Sequence, residues 1–187
     1  MKRLLAFTIW GIAALVASLT LACSICRFPG FPGLGGLLDT TKHFENDKFS
    51  FDYPGGWRTL SESWPALQPS NDVGVADPGS STMFEKYLTS VTILTKELPL
   101  DSSLEAMMAE TDPQGEGEVS VSTTIVDGVA AYERVYEKFR GEPLHWIREI
   151  WLQKGDRIYI ISCWTTPGRV EKAQVDFNMI IESFHVK

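Results

Sequence analysis

The sequence holds 187 residues, with 17 basic and 24 acidic side chains and a formal net charge of −7. The leading stretch Met1–Ala22 contains Lys2, Arg3 and no acid, so the remainder of the chain carries 15 basic residues against 24 acidic ones, a balance of −9. A chain of one-domain size with this charge is repelled by phosphate backbones and anionic head groups, which argues against a nucleic-acid partner and makes solubility the plain reading of the acidity.

Met1–Ala22 places two basic residues ahead of an uncharged apolar run, the layout of a secretory signal. The run is nearly long enough to span a bilayer, so an uncleaved anchor is the competing reading. Leu19-Thr20-Leu21-Ala22-Cys23 resembles the lipobox of bacterial lipoproteins, with small Ala22 before the cysteine and Thr20 where leucine is commonest. Cys26 is no substitute, because Ile25 before it is too large for the signal peptidase. The resemblance implies cleavage between Ala22 and Cys23, acyl chains on Cys23, and a place on the extracytoplasmic face of the cell membrane. Each acyl methylene buried in lipid contributes about 0.8 kcal/mol, so two or three chains anchor durably. Arg27–Leu38 then reads RFPGFPGLGGLL, whose Pro-Gly and Gly-Gly steps forbid helix and suit a semi-flexible spacer. The expected division is a signal over residues 1–22, a lipidated cysteine and tether over 23–43, and one domain over 44–187.

In that domain Phe49–Tyr53 alternates apolar and polar residues, which predicts a half-buried strand. Pro54-Gly55-Gly56 turns the chain and Trp57 returns it to the core. Ser61–Ser81 is rich in Ser, Pro, Asn, Asp and Gly, a long loop with room for a short strand at Val73–Ala76. Leu88–Leu94 reads as a strand, and Asp101–Glu105 as a helix start ahead of Ala106-Met107-Met108. A meander comes next over Val119–Val126, Ala130–Phe139, His145–Leu152 and Arg157–Thr165, with Asp127-Gly128 as a two-residue hairpin turn. The last of these strands, IYIISCWT, is apolar on both faces and is expected to be central and covered on both sides. Val170, Ala173, Phe177, Ile180, Ile181 and Phe184 recur at helical spacing, so a C-terminal amphipathic helix is expected to cover the sheet.

These elements make an α+β layered domain with a mostly antiparallel sheet. F-S-F-D-Y-P-G-G-W at Phe49–Trp57, the hairpins ending in Ile158–Trp164, and I-I-E-S-F at Ile180–Phe184 resemble the PsbP-like family. That group spans the plant photosystem II extrinsic subunit, many bacterial lipoproteins and, at fold level, a nuclear-transport factor that binds the GTPase Ran. The resemblance implies an antiparallel sheet sandwiched between helices, and roles in binding or assembly rather than catalysis. No functional residue of the photosynthetic members finds a matching motif here.

The sequence carries little that points to catalysis or metal binding. No G-x-S-x-G elbow is present, and the one nucleophile–base pairing to weigh is Cys163 with His145. Cys163 lies in the most apolar strand, so it is expected to be a buried, inert thiol, with a Cys26–Cys163 bridge as the alternative. Glu110, Asp112, Glu116 and Glu118 form an acidic stretch that reads as a solvated turn before a weak calcium site. No metal or cofactor is expected. Glu133, Arg134, Glu137 and Lys138, with Arg148 and Glu149 on the next strand, read as cross-strand ion pairs on a solvated surface. Trp64 in the long loop, with Trp146 and Trp151 on opposite faces of their strand, are the candidate contact residues. The expected function is a membrane-tethered accessory lipoprotein that binds another protein. Its rivals are a small-ligand binder with an aromatic pocket between sheet and helix, and a hydrolase.

Overall fold

The computed structural model describes residues 40–60, 71–82, 87–111, 119–139 and 143–187. Cys23, Ala22, Cys26, Trp64 and most of the acidic stretch therefore lie outside the described residues.

Among the described residues ten strands and two α-helices run in order: β1 (Thr41–Glu45), β2 (Phe49–Pro54), β3 (Arg58–Thr59), β4 (Val73–Ala76), β5 (Ser90–Glu97), α1 (Leu104–Glu110), β6 (Ser120–Val126), β7 (Val129–Phe139), β8 (Leu144–Lys154), β9 (Arg157–Thr165), α2 (Val170–Glu182) and β10 (His185–Val186). Strands β3-β4-β5-β9-β8-β7-β6 form a seven-stranded antiparallel sheet, and β1-β2-β10 a three-stranded one. β9 stands fourth of seven, so the doubly apolar strand is central, as its composition demands. The α+β reading with a mostly antiparallel sheet holds.

One face of the large sheet packs against the small sheet and α2. Phe49, Phe51 and Tyr53 of β2 meet Ile150, Leu152, Tyr159, Ile161 and Cys163, while Ala173, Phe177, Ile180 and Ile181 of α2 complete the layer. Each of the larger side chains contributes roughly 1.5–3 kcal/mol by leaving water. The opposite face carries α1: Leu104, Met107 and Met108 cover Trp151, Ile158 and Ile160. Ser103 caps this helix, its hydroxyl accepting from the Ala106 amide at 3.1 Å.

Two turns fix the register. Asp127 and Gly128 both have positive φ (52° and 71°), the type I′ geometry that matches the twist of a two-residue hairpin. At the end of β2 a Cβ on Gly55 would overlap the Thr40 carbonyl, so the chain closes there only with glycine.

Three short strands escape the sequence patterns. β1, β3 and β10 are two to five residues long, and β1 alternates too weakly to announce itself. With β1 and β10 missed, so is the small sheet, and one cover of the large sheet is sheet plus helix rather than helix alone.

Candidate functional site

The alternation of β7 sends Tyr132, Arg134 and Tyr136 to the α1 side of the sheet, opposite Trp151, Glu149 and Ile147 of β8. Arg134 is 4% exposed and Glu149 8%. The guanidinium donates to Glu149 Oε2 from Nε at 3.0 Å and from Nη2 at 2.6 Å, and its Nη1 donates to the Met108 carbonyl of α1 at 3.0 Å. Trp151 Nε1 adds a bond to the same carboxylate oxygen at 3.1 Å, and the Tyr136 hydroxyl donates to Oε1 at 3.0 Å. The guanidinium carbon lies 5.3 Å from the Trp151 ring centroid and 5.5 Å from that of Tyr136. Burial, then the Glu149 charge, push the Tyr136 hydroxyl well above the usual phenol range. Every carboxylate oxygen here is already an acceptor, so the cluster clamps α1 to the sheet and holds no free base.

This corrects the expectation of solvated ion pairs on β7 and β8. Tyr132, Tyr136, Trp151 and α1 exclude water from Arg134 and Glu149. On the other face Arg148 donates to Glu133 at 2.6 Å and to Asn178 of α2 at 2.7 Å, tying that helix down from its own side. The missed signal is an arginine between two tyrosines at two-residue spacing, facing a tryptophan: aromatic neighbours on one strand face mark cover, not solvent.

Two of the three aromatic candidates, Trp146 and Trp151, are packed. Trp151 lies beneath α1, and Trp146, on the opposite face, stacks on Phe177 with centroids 6.5 Å apart and planes within 5°. Between the sheet and α2, Trp57 meets Phe177 edge-on and Tyr159 meets Phe184, all four buried in the core. A cavity of about 180 Å³ opens elsewhere, lined by Lys48, Thr95, Lys96, Glu97 and Arg157. It is smaller than the several hundred Å³ of ordinary ligand pockets, and Lys48 is held by Asp72 at 2.5 Å.

Cys163 and His145 do not form a dyad. Cys163 pairs with Arg148 and faces the α2 side, whereas His145 points to the other face, beside Trp164. Cys163 is a fully buried free thiol whose pKa burial pushes up to about 12. Among the described residues no group of three His, Cys, Asp or Glu side chains is placed to hold a metal.

The PsbP-like protein family is matched over residues 38–186, most of the chain. The chain belongs to that family. No curated protein sequence matches it. Among solved structures, this PsbP-like domain is similar to cyanobacterial PsbP (CyanoP) from Synechocystis, with 17% identity, a TM-score of 0.55, and coverage of 86% of this chain and 99% of that one. LpqN of Mycobacterium tuberculosis, described as involved in cell envelope biogenesis, aligns at 10% identity with a TM-score of 0.62, over 82% of this chain and 96% of LpqN. A mutant form of Mog1 aligns at 14% identity and a TM-score of 0.51, over 79% and 96%. At these identities the likeness is one of fold.

Proposed function

We propose that this PsbP-like protein is a membrane-anchored extracytoplasmic lipoprotein with a non-catalytic accessory role, acting through contact with another protein. The observation that carries the reading is the use of the buried charges: Arg134 and Glu149 are wholly engaged in fastening α1 to the sheet. Cys163, the nucleophile considered from sequence, is sealed in the core. Such a domain offers surfaces rather than a reaction centre. The Leu19–Cys23 lipobox and the Gly/Pro-rich spacer supply the rest of the logic: lipid fixes the domain on a plane and the tether sets its reach. The description of LpqN as involved in cell envelope biogenesis is in keeping with work at the cell envelope.

The test has two arms. Cells fed an alkyne fatty acid should label the wild-type chain on Cys23, and Cys23→Ser should lose both the label and membrane fractionation. A Cys23→Ser chain that remains wholly in membranes would replace the lipid anchor with an uncleaved helix. Affinity purification from gently solubilised membranes should then bring down a stoichiometric partner. A clean monomer would remove the accessory role.

A further inference from the structure

The seven-stranded sheet ends on β6, and no described strand pairs with its outer side. Natural sheets blunt such an edge with lysine, proline, a bulge or a very short strand. β6 has none of these. It reads SVSTTIV over seven residues, and its register with β7 runs without a bulge from Val126↔Val129 to Ser120↔Val135.

The turn fixes which backbone groups are unused. Val126 and Val129 flank a two-residue type I′ turn and so exchange both of their hydrogen bonds. Thr124, Ser122 and Ser120 then face β7 in the same way. Val121, Thr123 and Ile125, together with Val119, aim their amides and carbonyls outward. The side chains of these same residues lie on one face, and Val119, Val121 and Ile125 are 38%, 54% and 75% exposed. A row of free backbone groups and a row of exposed β-branched side chains coincide.

We propose that β6 pairs antiparallel with β6 of a second copy of this chain, about a two-fold axis through Thr123, joining two seven-stranded sheets into one. The sequence is self-complementary in that register. Val121 falls opposite Ile125 of the second copy, Ser122 opposite Thr124, and Thr123 opposite itself, so apolar meets apolar and hydroxyl meets hydroxyl. The Val121–Ile125 and Thr123–Thr123 pairs use the outward groups, and Ser122–Thr124 falls between them as a non-hydrogen-bonded pair, which is the alternation an antiparallel ladder requires. The strand is also uncharged in an acidic chain, so two copies meet here without like-charge repulsion. An arbitrary partner strand has no reason to match this symmetry. One strand pair is small beside the roughly 1,600 Å² of a standard interface, so the dimer dissociates on dilution.

The test uses the full chain in density-matched detergent, with sedimentation equilibrium over a concentration series and then amide hydrogen exchange. Wild type should move from monomer mass to twice that mass as concentration rises, with the Val121 and Ile125 amides becoming protected. Thr123→Pro removes an outward amide that makes no bond to β7, and Thr123→Lys sets two ammonium groups face to face. Both variants should stay at monomer mass with the melting temperature of the wild type at low concentration. A wild type that remains monomeric throughout overturns the proposal: fast Val121 and Ile125 amides would mean a bare edge, and slow ones an edge covered by the chain itself. A dimer that survives both substitutions overturns it too, because it must use another surface.

Discussion

The Arg134 guanidinium and the Glu149 carboxylate meet across β7 and β8 with Nε and Nη2 on one oxygen, and the third arm of the guanidinium reaches the Met108 carbonyl of α1. One buried pair thus joins two strands and the helix that covers them. Two opposing effects decide its value. Desolvating both ions is expensive, so the pair adds less to stability than its geometry suggests. Leaving either ion alone in the same place is worse, because nothing then offsets its burial.

Removing one partner should therefore cost far more than removing both. Arg134→Met or Glu149→Leu alone is expected to destabilise the domain by about 3–5 kcal/mol, whereas the double variant recovers most of that loss. Urea unfolding of the three variants measures the coupling. Additive losses would show that the two charges do not depend on each other.

Gly55 and Gly56 sit side by side but face different surroundings. A Cβ at Gly55 would run into the Thr40 backbone, while one at Gly56 meets nothing within 4 Å. Gly55→Ala is expected to cost about 1–3 kcal/mol, the range for forced overpacking, and Gly56→Ala to change stability by no more than about 0.5 kcal/mol. Thermal unfolding of the two variants separates close approach from mere turn composition. Equal losses would remove the Thr40 contact as the reason for glycine.

The long elements are legible in the sequence because periodicity reports burial. Phe49–Tyr53 alternates as a strand with one buried face, IYIISCWT loses alternation because both faces are covered, and α2 shows its stripe. β1, β3 and β10 are not legible. Two to five residues carry too little pattern, and β10 takes its place through contacts with Lys48 and Asp127, far away in sequence. The buried Arg134–Glu149 pair reads as surface because charge weighs on the solvent side in any local reading. Only the helix brought over it by the fold reverses that sign. The proposed lipobox at Leu19–Cys23 needs no fold to be read, since a peptidase would recognise it as sequence.

Cys163 supplies a kinetic prediction. Burial pushes its thiol up to about 12, so near neutral pH almost none of it is thiolate, and the core excludes reagent as well. A chain with Cys23 and Cys26 replaced by serine should show no reaction with a disulfide reagent while folded. It should release one equivalent of thiol on unfolding in guanidinium. Prompt labelling of the native domain would mean that the β9 face opens far more often than its packing implies.

Asp127 links the β6–β7 hairpin turn to β10. Its carboxylate accepts from the Val186 amide at 3.0 Å, from His185 Nδ1 at 2.7 Å and from Lys154 Nζ at 3.2 Å. Burial raises its pKa, but those three hydrogen bonds outweigh burial and hold it below the ordinary aspartate value. A carboxyl whose folded pKa is lowered adds stability that is fully present above the unfolded value and lost as pH falls through the folded one. Asp127→Asn keeps the positive-φ turn, which asparagine tolerates, and removes only the charge. At neutral pH the variant should be less stable than wild type by about 1–2 kcal/mol, the scale of hydrogen bonds to a charged group. That gap should narrow as the pH drops below about 4, where unfolded aspartate takes up its proton. Denaturant unfolding at a series of pH values reads it directly. A gap that stays constant from neutral pH into acid would assign the loss to turn geometry and not to the charge on Asp127.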